Sequence, residues 1–248
     1  MTPLGATEAV LFDLDDVLVP FQTPRAWQWA WRPQGPILGE RHVRAMIRRS
    51  LRSWDRRRWH GAIGKEPPTD LVALRAHLAE TLWAISGHPL PAEETEAVVR
   101  RFLRPQGEVE RYPDVPGALE RLRSRGVPVG IVTPLPLESA RWLVRRGGIP
   151  ESLLVRTGDD LGPAVPAAAA FGAAVERLSL SPERVSFVGD LFWSDARAAH
   201  RAGLRGVLLD RQGAWPSVQG TRLSGLDTLE ATLEAPPPED APEEPTPG

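Results

Sequence analysis

Two carboxylates stand where an apolar run gives out. In Ala9-Val10-Leu11-Phe12-Asp13-Leu14-Asp15-Asp16-Val17, β-prone residues lead straight into Asp13 and Asp15 at spacing i, i+2. A core strand that ends this way delivers concentrated negative charge to the mouth of a loop. Binding a hard divalent cation and attacking an electrophile are the chemistries that use such an arrangement. A second carboxylate pair follows Val185-Ser186-Phe187-Val188, in Gly189-Asp190-Leu191-Phe192-Trp193-Ser194-Asp195. Between the two pairs, Val129-Gly130-Ile131-Val132 ends on Thr133. Each signal alone has a bland reading. Asp13 and Asp15 could be capped by backbone amides, Thr133 could be a turn residue, and Asp195 a helix N-cap or first-turn acid. In this order and combination they point to one pocket.

The elements that must position these residues are legible in the pattern around them. Residues 9–13 read as the first strand. After Tyr112-Pro113, helices and strands alternate: helix 115–125, strand 127–132, helix 137–146, strand 152–156, an Ala-rich helix at about 166–178, strand 184–188, helix 194–202 and strand 205–209. Gly126, Gly147-Gly148 and Gly203 mark helix ends. Strands separated by such helices imply right-handed crossovers and a parallel sheet. The predicted fold is α/β, with a Rossmann-like parallel sheet core flanked by helices. Ligands of such sheets bind beyond the carboxyl ends of the strands, and Asp13, Thr133 and Asp190 all fall at such ends.

The stretch between the first strand and Tyr112 contains no convincing strand. Thr23-Pro24 is a helix start, with Thr as N-cap and Pro at the first helical position. Segments 40–54, 69–86 and 92–104 carry apolar residues at helical spacing, for example Leu71, Leu74, Leu78 and Leu82. Gly61, Gly64, Pro67-Pro68 and Gly87-His88-Pro89 separate them. The expected division is a core of residues 1–20 and 106–234, an inserted α-helical cap domain of 21–105, and a disordered Pro/Glu-rich tail of 235–248.

Composition sets the remaining bounds. The chain has 248 residues, no cysteine, and the hydrophobic and charged fractions of an ordinary globular protein. Disulfides, thiolate catalysis and thiolate metal sites are excluded. No apolar run of about 20 residues exists to span a membrane. No basic-then-apolar leader is visible at the N-terminus, so the cytoplasm is the default location.

The net charge of -2 conceals segregation. Eleven basic residues lie between Arg25 and Lys65 against Glu40 and Asp55, a local net of +9, while Glu234 to Gly248 carry five acids and no base. The arginines from Arg41 to Arg58 read first as a solvated helix face. An anionic substrate or the acidic tail are the other readings. No nucleic-acid motif accompanies them, so nucleic acid is not an expected partner. Trp27, Trp29 and Trp31 read as packing or as a lining of the cap interface. None of the five histidines has a metal-ligand partner at helical spacing.

On these residues the chain resembles the haloacid dehalogenase-like (HAD) hydrolase superfamily, in its phosphoglycolate-phosphatase-like branch, over roughly residues 9–211. Phe12-Asp13-Leu14-Asp15-Asp16-Val17 matches the first motif. Tyr112-Pro113-Asp114-Val115-Pro116-Gly117, then Leu119-Glu120-Arg121-Leu122 and Gly126, matches the approach to the second. Ile131-Val132-Thr133 matches the second itself. Val188-Gly189-Asp190 through Asp195, with Ala198-Ala199 and Ala202-Gly203-Leu204, matches the fourth. The helical insertion sits where many of these enzymes carry a mobile cap.

The resemblance implies a chemistry. Asp13 would be the nucleophile that accepts a phosphoryl group, and Asp15 the acid and then the base. Mg2+ would be held by Asp13, the backbone carbonyl of Asp15, Asp190 and Asp195. Thr133 would donate a hydrogen bond to a phosphoryl oxygen of a small phosphorylated substrate. A dehalogenase activity is disfavoured, because dehalogenating members usually lack the second Asp of the first motif.

One motif is broken. The family's third motif is a lysine, and ungapped alignment places Val165 at its position, in Gly162-Pro163-Ala164-Val165-Pro166. Loss of one well-placed transition-state donor costs about 2.7–4 kcal/mol, or roughly 10²–10³ in rate. Arg156 at the end of the third strand, or Arg25 or Lys65 from the cap, are the candidate replacements. The alternative function is a weakly active or inactive relative that binds a phosphorylated ligand or a protein partner through the same cleft. Oligomeric state cannot be read from this sequence.

Overall fold

The sheet is built outward from its most apolar strand. β1 (Ala9–Phe12) is wholly buried. It pairs in parallel with β2 (Val129–Val132) on one side and β4 (Val185–Gly189) on the other. β3 (Leu154–Arg156) lies beyond β2, and β5 (Arg205–Leu209) and β6 (Arg222–Leu223) lie beyond β4. The order is β3-β2-β1-β4-β5-β6 with every neighbouring pair parallel. This is the α/β Rossmann-like sheet expected from the sequence. The computed structural model describes residues 5–21, 23–34, 39–61, 71–103, 111–156, 167–218 and 221–236. The acidic tail expected to be disordered lies, from residue 237 onward, outside the described residues, as do Lys65 and Val165.

Between β1 and Tyr112 the described residues form four α-helices: α1 (Pro24–Trp31), α2 (Glu40–Gly61), α3 (Leu71–Ser86) and α4 (Ala92–Leu103). Thr23 caps α1 as predicted, its hydroxyl accepting from Ala26 N at 3.1 Å with Pro24 at the first position. Val43, Ile47, Leu51 and Trp54 of α2 are buried, as are Leu78, Leu82 and Ile85 of α3 and Val98, Val99 and Phe102 of α4. This apolar cluster is continuous with the sheet through Leu14, Val17, Leu18 and Val19. Ser50 and Thr81 bridge α2 and α3 by a buried 2.8 Å hydrogen bond. α2 has 22 residues and overruns the predicted 40–54. The apolar pattern stops at Trp54, but the next inward position is taken by Asp55, which is fully buried and carries the helix on.

Alternation along β1 divides the core between two layers. Val10 and Phe12 pack with α5 (Val115–Ser124), α6 (Leu137–Arg146) and a late helix, Leu229–Glu234. Ala9 and Leu11 pack with α7 (Ala167–Leu178) and α8 (Ala198–Arg201), and the late helix is α9. Burying one such Leu or Phe contributes about 1.5–3 kcal/mol. β2 begins two residues later than predicted. Val127 N still donates to Leu122 O, closing α5 around Gly126, whose φ is +72°. Residues 152–153 belong to a short helical turn ahead of β3. β6 and α9 were not anticipated. A two-residue strand has no readable alternation, and β6 is held from outside, by Asp210, which accepts from Arg222 Nε and Nη2 at 3.0 and 2.7 Å. Among the described residues, no helix is long and apolar enough to cross a membrane.

Candidate active site

The carboxyl ends of β1, β2 and β4 converge, and each brings its polar residue with it. Asp13 leaves β1 with its amide on Val188 O at 2.9 Å, which holds it beside the end of β4. One carboxylate oxygen from each of Asp13, Asp190 and Asp195 lies within 4.8 Å of the others. Asp13 is buried, and its Oδ1 has no hydrogen-bond partner among the described residues. Asp15 and Thr133 meet across the β1–β2 boundary, where the Thr133 hydroxyl donates to Asp15 Oδ1 at 3.2 Å. That hydroxyl also accepts from Leu135 N at 3.3 Å. Its one proton is therefore directed at Asp15 here, not at an open ligand position.

The loop beyond Asp15 is compact. Leu14, Val17, Leu18 and Val19 are all buried, and Leu18 N and Val19 N both return to Leu14 O. Asp16 takes a left-handed conformation, φ +59°, which Asp tolerates better than most residues. Its Oδ1 accepts from Phe21 N at 2.9 Å and Tyr112 Oη at 3.4 Å. Arg211 secures the same loop by donating twice to Val17 O while forming a bidentate pair with Asp114.

Asp195 is placed by an unusual turn. Phe192–Arg197 wind wider than an α-helix, with Ala196 N donating to Leu191 O at 3.2 Å, before α8 begins. One-turn widenings of this kind recur at functional sites. The predicted helix 194–202 is thus half wide turn and half α8. The Asp195 carboxylate folds back to accept from Leu191 N at 2.9 Å. Gly189 makes this possible, because a Cβ there would overlap the Asp195 side chain. Gly206 on β5 does the same for the turn's backbone, where a Cβ would collide with the Ala196 carbonyl. Trp215 Nε1 holds Asp190 O at 3.0 Å.

One contributor went unnoticed in the sequence. Asp55, far away on α2, accepts from Trp193 N at 2.8 Å, Ser194 N at 3.1 Å and Ser194 Oγ at 2.6 Å. A faint signal was available. Asp55 lies four residues after buried Leu51, on the inward face of an otherwise arginine-rich helix.

The electrostatics follow from burial of like charges. Burial first, then Asp15, Asp195 and Asp190, holds the Asp13 carboxyl well above the ordinary range. Asp190 is raised likewise by burial and then by Asp195, Asp16, Asp15 and Asp55. Burial pushes Asp195 up to about 8 despite the Leu191 amide, with Asp55 and Asp15 adding to it. Burial and Asp16 push Asp15 to about 6 against the Thr133 hydrogen bond. The leading opposition to these shifts comes from N–H and O–H donors, not from cationic side chains. An orphaned carboxylate oxygen inside an uncompensated cluster of hard oxygen donors fits a divalent cation such as Mg2+.

Of the candidate replacement cations, Arg25 alone can be placed among the described residues. Arg25 is exposed on the first turn of α1, and no contact among the described residues joins it to the carboxylates. Arg156 ends β3 at the correct edge of the sheet, but its side chain lies outside the described residues. Lys65 lies outside them entirely.

A family model described as haloacid dehalogenase-like hydrolase matches residues 7–203. A phosphatase of Mycobacterium tuberculosis is 30% identical over 209 residues, covering 83% of this chain and 88% of that protein. The phosphoglycolate phosphatase of Escherichia coli is 32% identical over 125 residues, spanning about half of each chain at 48% and 49%. Among solved structures, a "predicted phosphoglycolate phosphatase" of Haemophilus somnus superposes with a TM-score of 0.58 at 22% identity, covering 84% of this chain and 87% of that one. The L-2-haloacid dehalogenase of Xanthobacter autotrophicus gives 0.61 at 17% identity, covering 92% and 98%. These two superpositions establish a shared fold.

Proposed function

The chain belongs to the haloacid dehalogenase-like hydrolase family, and on that premise we propose that it is a Mg2+-dependent phosphatase of a small phosphate monoester, acting in the cytoplasm through an aspartyl-phosphate. The observation that carries this reading is the convergence of Asp13, Asp190 and Asp195 around the unpartnered Asp13 Oδ1. Asp13 is the nucleophile. Its carboxylate oxygen bonds to phosphorus as the bond from phosphorus to the ester oxygen breaks. Asp15, pushed to about 6, retains a proton in part of the population near neutrality and gives it to the departing alkoxide. It then takes a proton from the water that attacks the acyl phosphate, releasing inorganic phosphate and restoring Asp13.

Asp13, Asp190, Asp195 and the Asp15 backbone carbonyl would hold Mg2+, which supplies the positive charge that lets a phosphate dianion approach these carboxylates. Thr133 orients Asp15 through its one hydroxyl proton, and would donate to a phosphoryl oxygen only by turning that proton away from Asp15. Helices α1–α4 serve as the cap over this mouth, within the boundaries 21–105, and contribute substrate selection. The presence of Asp15 argues for phosphoryl transfer over dehalogenation, in keeping with the relatives named as phosphatases.

A second reading is favoured by Val165, which stands where the family's lysine is expected: a relative that binds phosphorylated ligands with little turnover. Hydrolysis of an aryl phosphate with Mg2+ decides between them. Turnover that falls by about 10⁴-fold or more in Asp13→Asn supports the phosphatase. No turnover across a broad panel of phosphate esters, with Mg2+-dependent phosphate binding intact, supports the binder.

A further inference from the structure

The Phe192–Arg197 turn lacks a local cap. Its N-cap position is Leu191, which offers no polar side chain, and the first-turn amides of Trp193 and Ser194 have no acceptor within the turn. Both are instead satisfied by Asp55 of α2, 138 positions away from Trp193 in the chain, which also binds the Ser194 hydroxyl. Asp55 is fully buried. A buried carboxylate in an arginine-rich helix is a costly choice unless its partners require it. The turn it holds carries Asp195, and Asp195 in turn bonds Leu191 N beside Asp190. The other side of the turn is anchored in the core by Phe192 and Trp193 packing with Trp215, and Trp215 holds Asp190 O. Asp55 therefore links α2 to the segment that carries Asp190 and Asp195.

We propose that Asp55 is a positioning residue, through which docked α2 sets the geometry of the Asp190–Asp195 segment and hence the affinity of the acidic site for a divalent cation. The inference rests on the reading of that site as a Mg2+ centre. The negative charge of Asp55 also bears directly on Asp190 and Asp195, and so favours a cation there. Groups that orient metal ligands from outside the ligand set typically govern affinity or activity by about 10–100-fold.

The test uses the full chain stripped of metal with a chelator and titrated with Mg2+ by calorimetry. Asp55→Ala should weaken Mg2+ binding by about 10–100-fold, and Ser194→Ala, which removes one of the three hydrogen bonds, by a smaller factor. Amide hydrogen exchange at Trp193 and Ser194 should accelerate in Asp55→Ala. In hydrolysis assays the Mg2+ requirement should rise by the same factor as the binding constant. Saturating Mg2+ should restore most of kcat, and KM for the phosphate ester should stay unchanged. A variant with faster exchange but wild-type Mg2+ affinity overturns the inference, as does a kcat loss that Mg2+ does not rescue. If Asp55→Ala does not fold, Asp55→Asn and Ser194→Ala decide, and unchanged affinity in both overturns it. If the wild-type chain binds no Mg2+, the metal-centre reading fails and this inference with it. Wild-type binding with unaffected variants removes the Asp55 role alone.

Discussion

Replacing Asp195 with Asn should stabilise the metal-free protein at alkaline pH while impairing its site. Asp195 titrates at about 8 in the fold because it is buried among carboxylates, against about 3.9 in an unfolded chain. Below about pH 3.9 the group is protonated in both states and favours neither. Above that value the unfolded group ionises while the folded one keeps its proton. Folding stability then falls by up to about 1.4 kcal/mol per pH unit until the folded group ionises near pH 8. Between pH 5 and 7 the loss is on the order of 3 kcal/mol for this one group. A chain of this size shifts its Tm by about 2–4 °C per kcal/mol, so Tm should fall by roughly 6–12 °C over that interval. Asp195→Asn keeps an acceptor for Leu191 N and removes the charge, so its metal-free Tm should vary less with pH and exceed the wild-type value at pH 8. Mg2+ should flatten the wild-type curve and leave the variant little changed. The assay is differential scanning calorimetry of chelator-treated protein at several pH values, read as wild type minus variant so that histidine titration cancels. A difference that does not grow between pH 5 and 8, or a variant less stable than wild type at pH 8, refutes the uncompensated cluster.

Other perturbations probe the supports of the site. Gly189→Ala sets a methyl group against the Asp195 side chain; calorimetry should show about 1–3 kcal/mol of lost stability, and Mg2+ titration at least a tenfold loss of affinity. Thr133→Val removes the hydrogen bond that favours the Asp15 carboxylate. Asp15 should then titrate higher than about 6, carrying the alkaline limb of the kcat/KM profile upward while the maximum falls. Arg211→Met breaks a nearly buried bidentate pair with Asp114 and two hydrogen bonds to Val17 O. Denaturant unfolding should report a loss of about 3–5 kcal/mol. Burial tends to raise the Asp114 carboxyl, but hydrogen bonds from Arg211 and Leu226 N win and hold it below its ordinary value. The stability this provides is present above about pH 3.9 and is lost as pH falls through the depressed value. Acid unfolding of Arg211→Met should therefore begin at higher pH than in the wild type.

Sequence alone determined what depends on short-range periodicity and on residue type at strand ends. The run Ala9–Phe12 could only be a buried strand, and the acids that follow it had to emerge at its end. Repetition of that grammar at Val132-Thr133 and Gly189-Asp190 was enough to locate five of the six described strands along the chain and to nominate Asp13, Asp15, Thr133, Asp190 and Asp195, while their order in the sheet came from the structure. Helix caps such as Thr23 were equally readable, because their chemistry spans three residues. What tertiary structure decided is everything that hangs on partners distant in the chain. β6 exists because Asp210 holds Arg222. The widened turn at Phe192 is accommodated because β5 offers a bare glycine beside it. Asp55 became part of the site because α2 packs across the sheet's carboxyl edge, where two orphaned amides awaited an acceptor. No periodicity encodes such a meeting, since its driving force is the cost of leaving buried donors and acceptors unpaired. That cost arises only once the chain has folded around them.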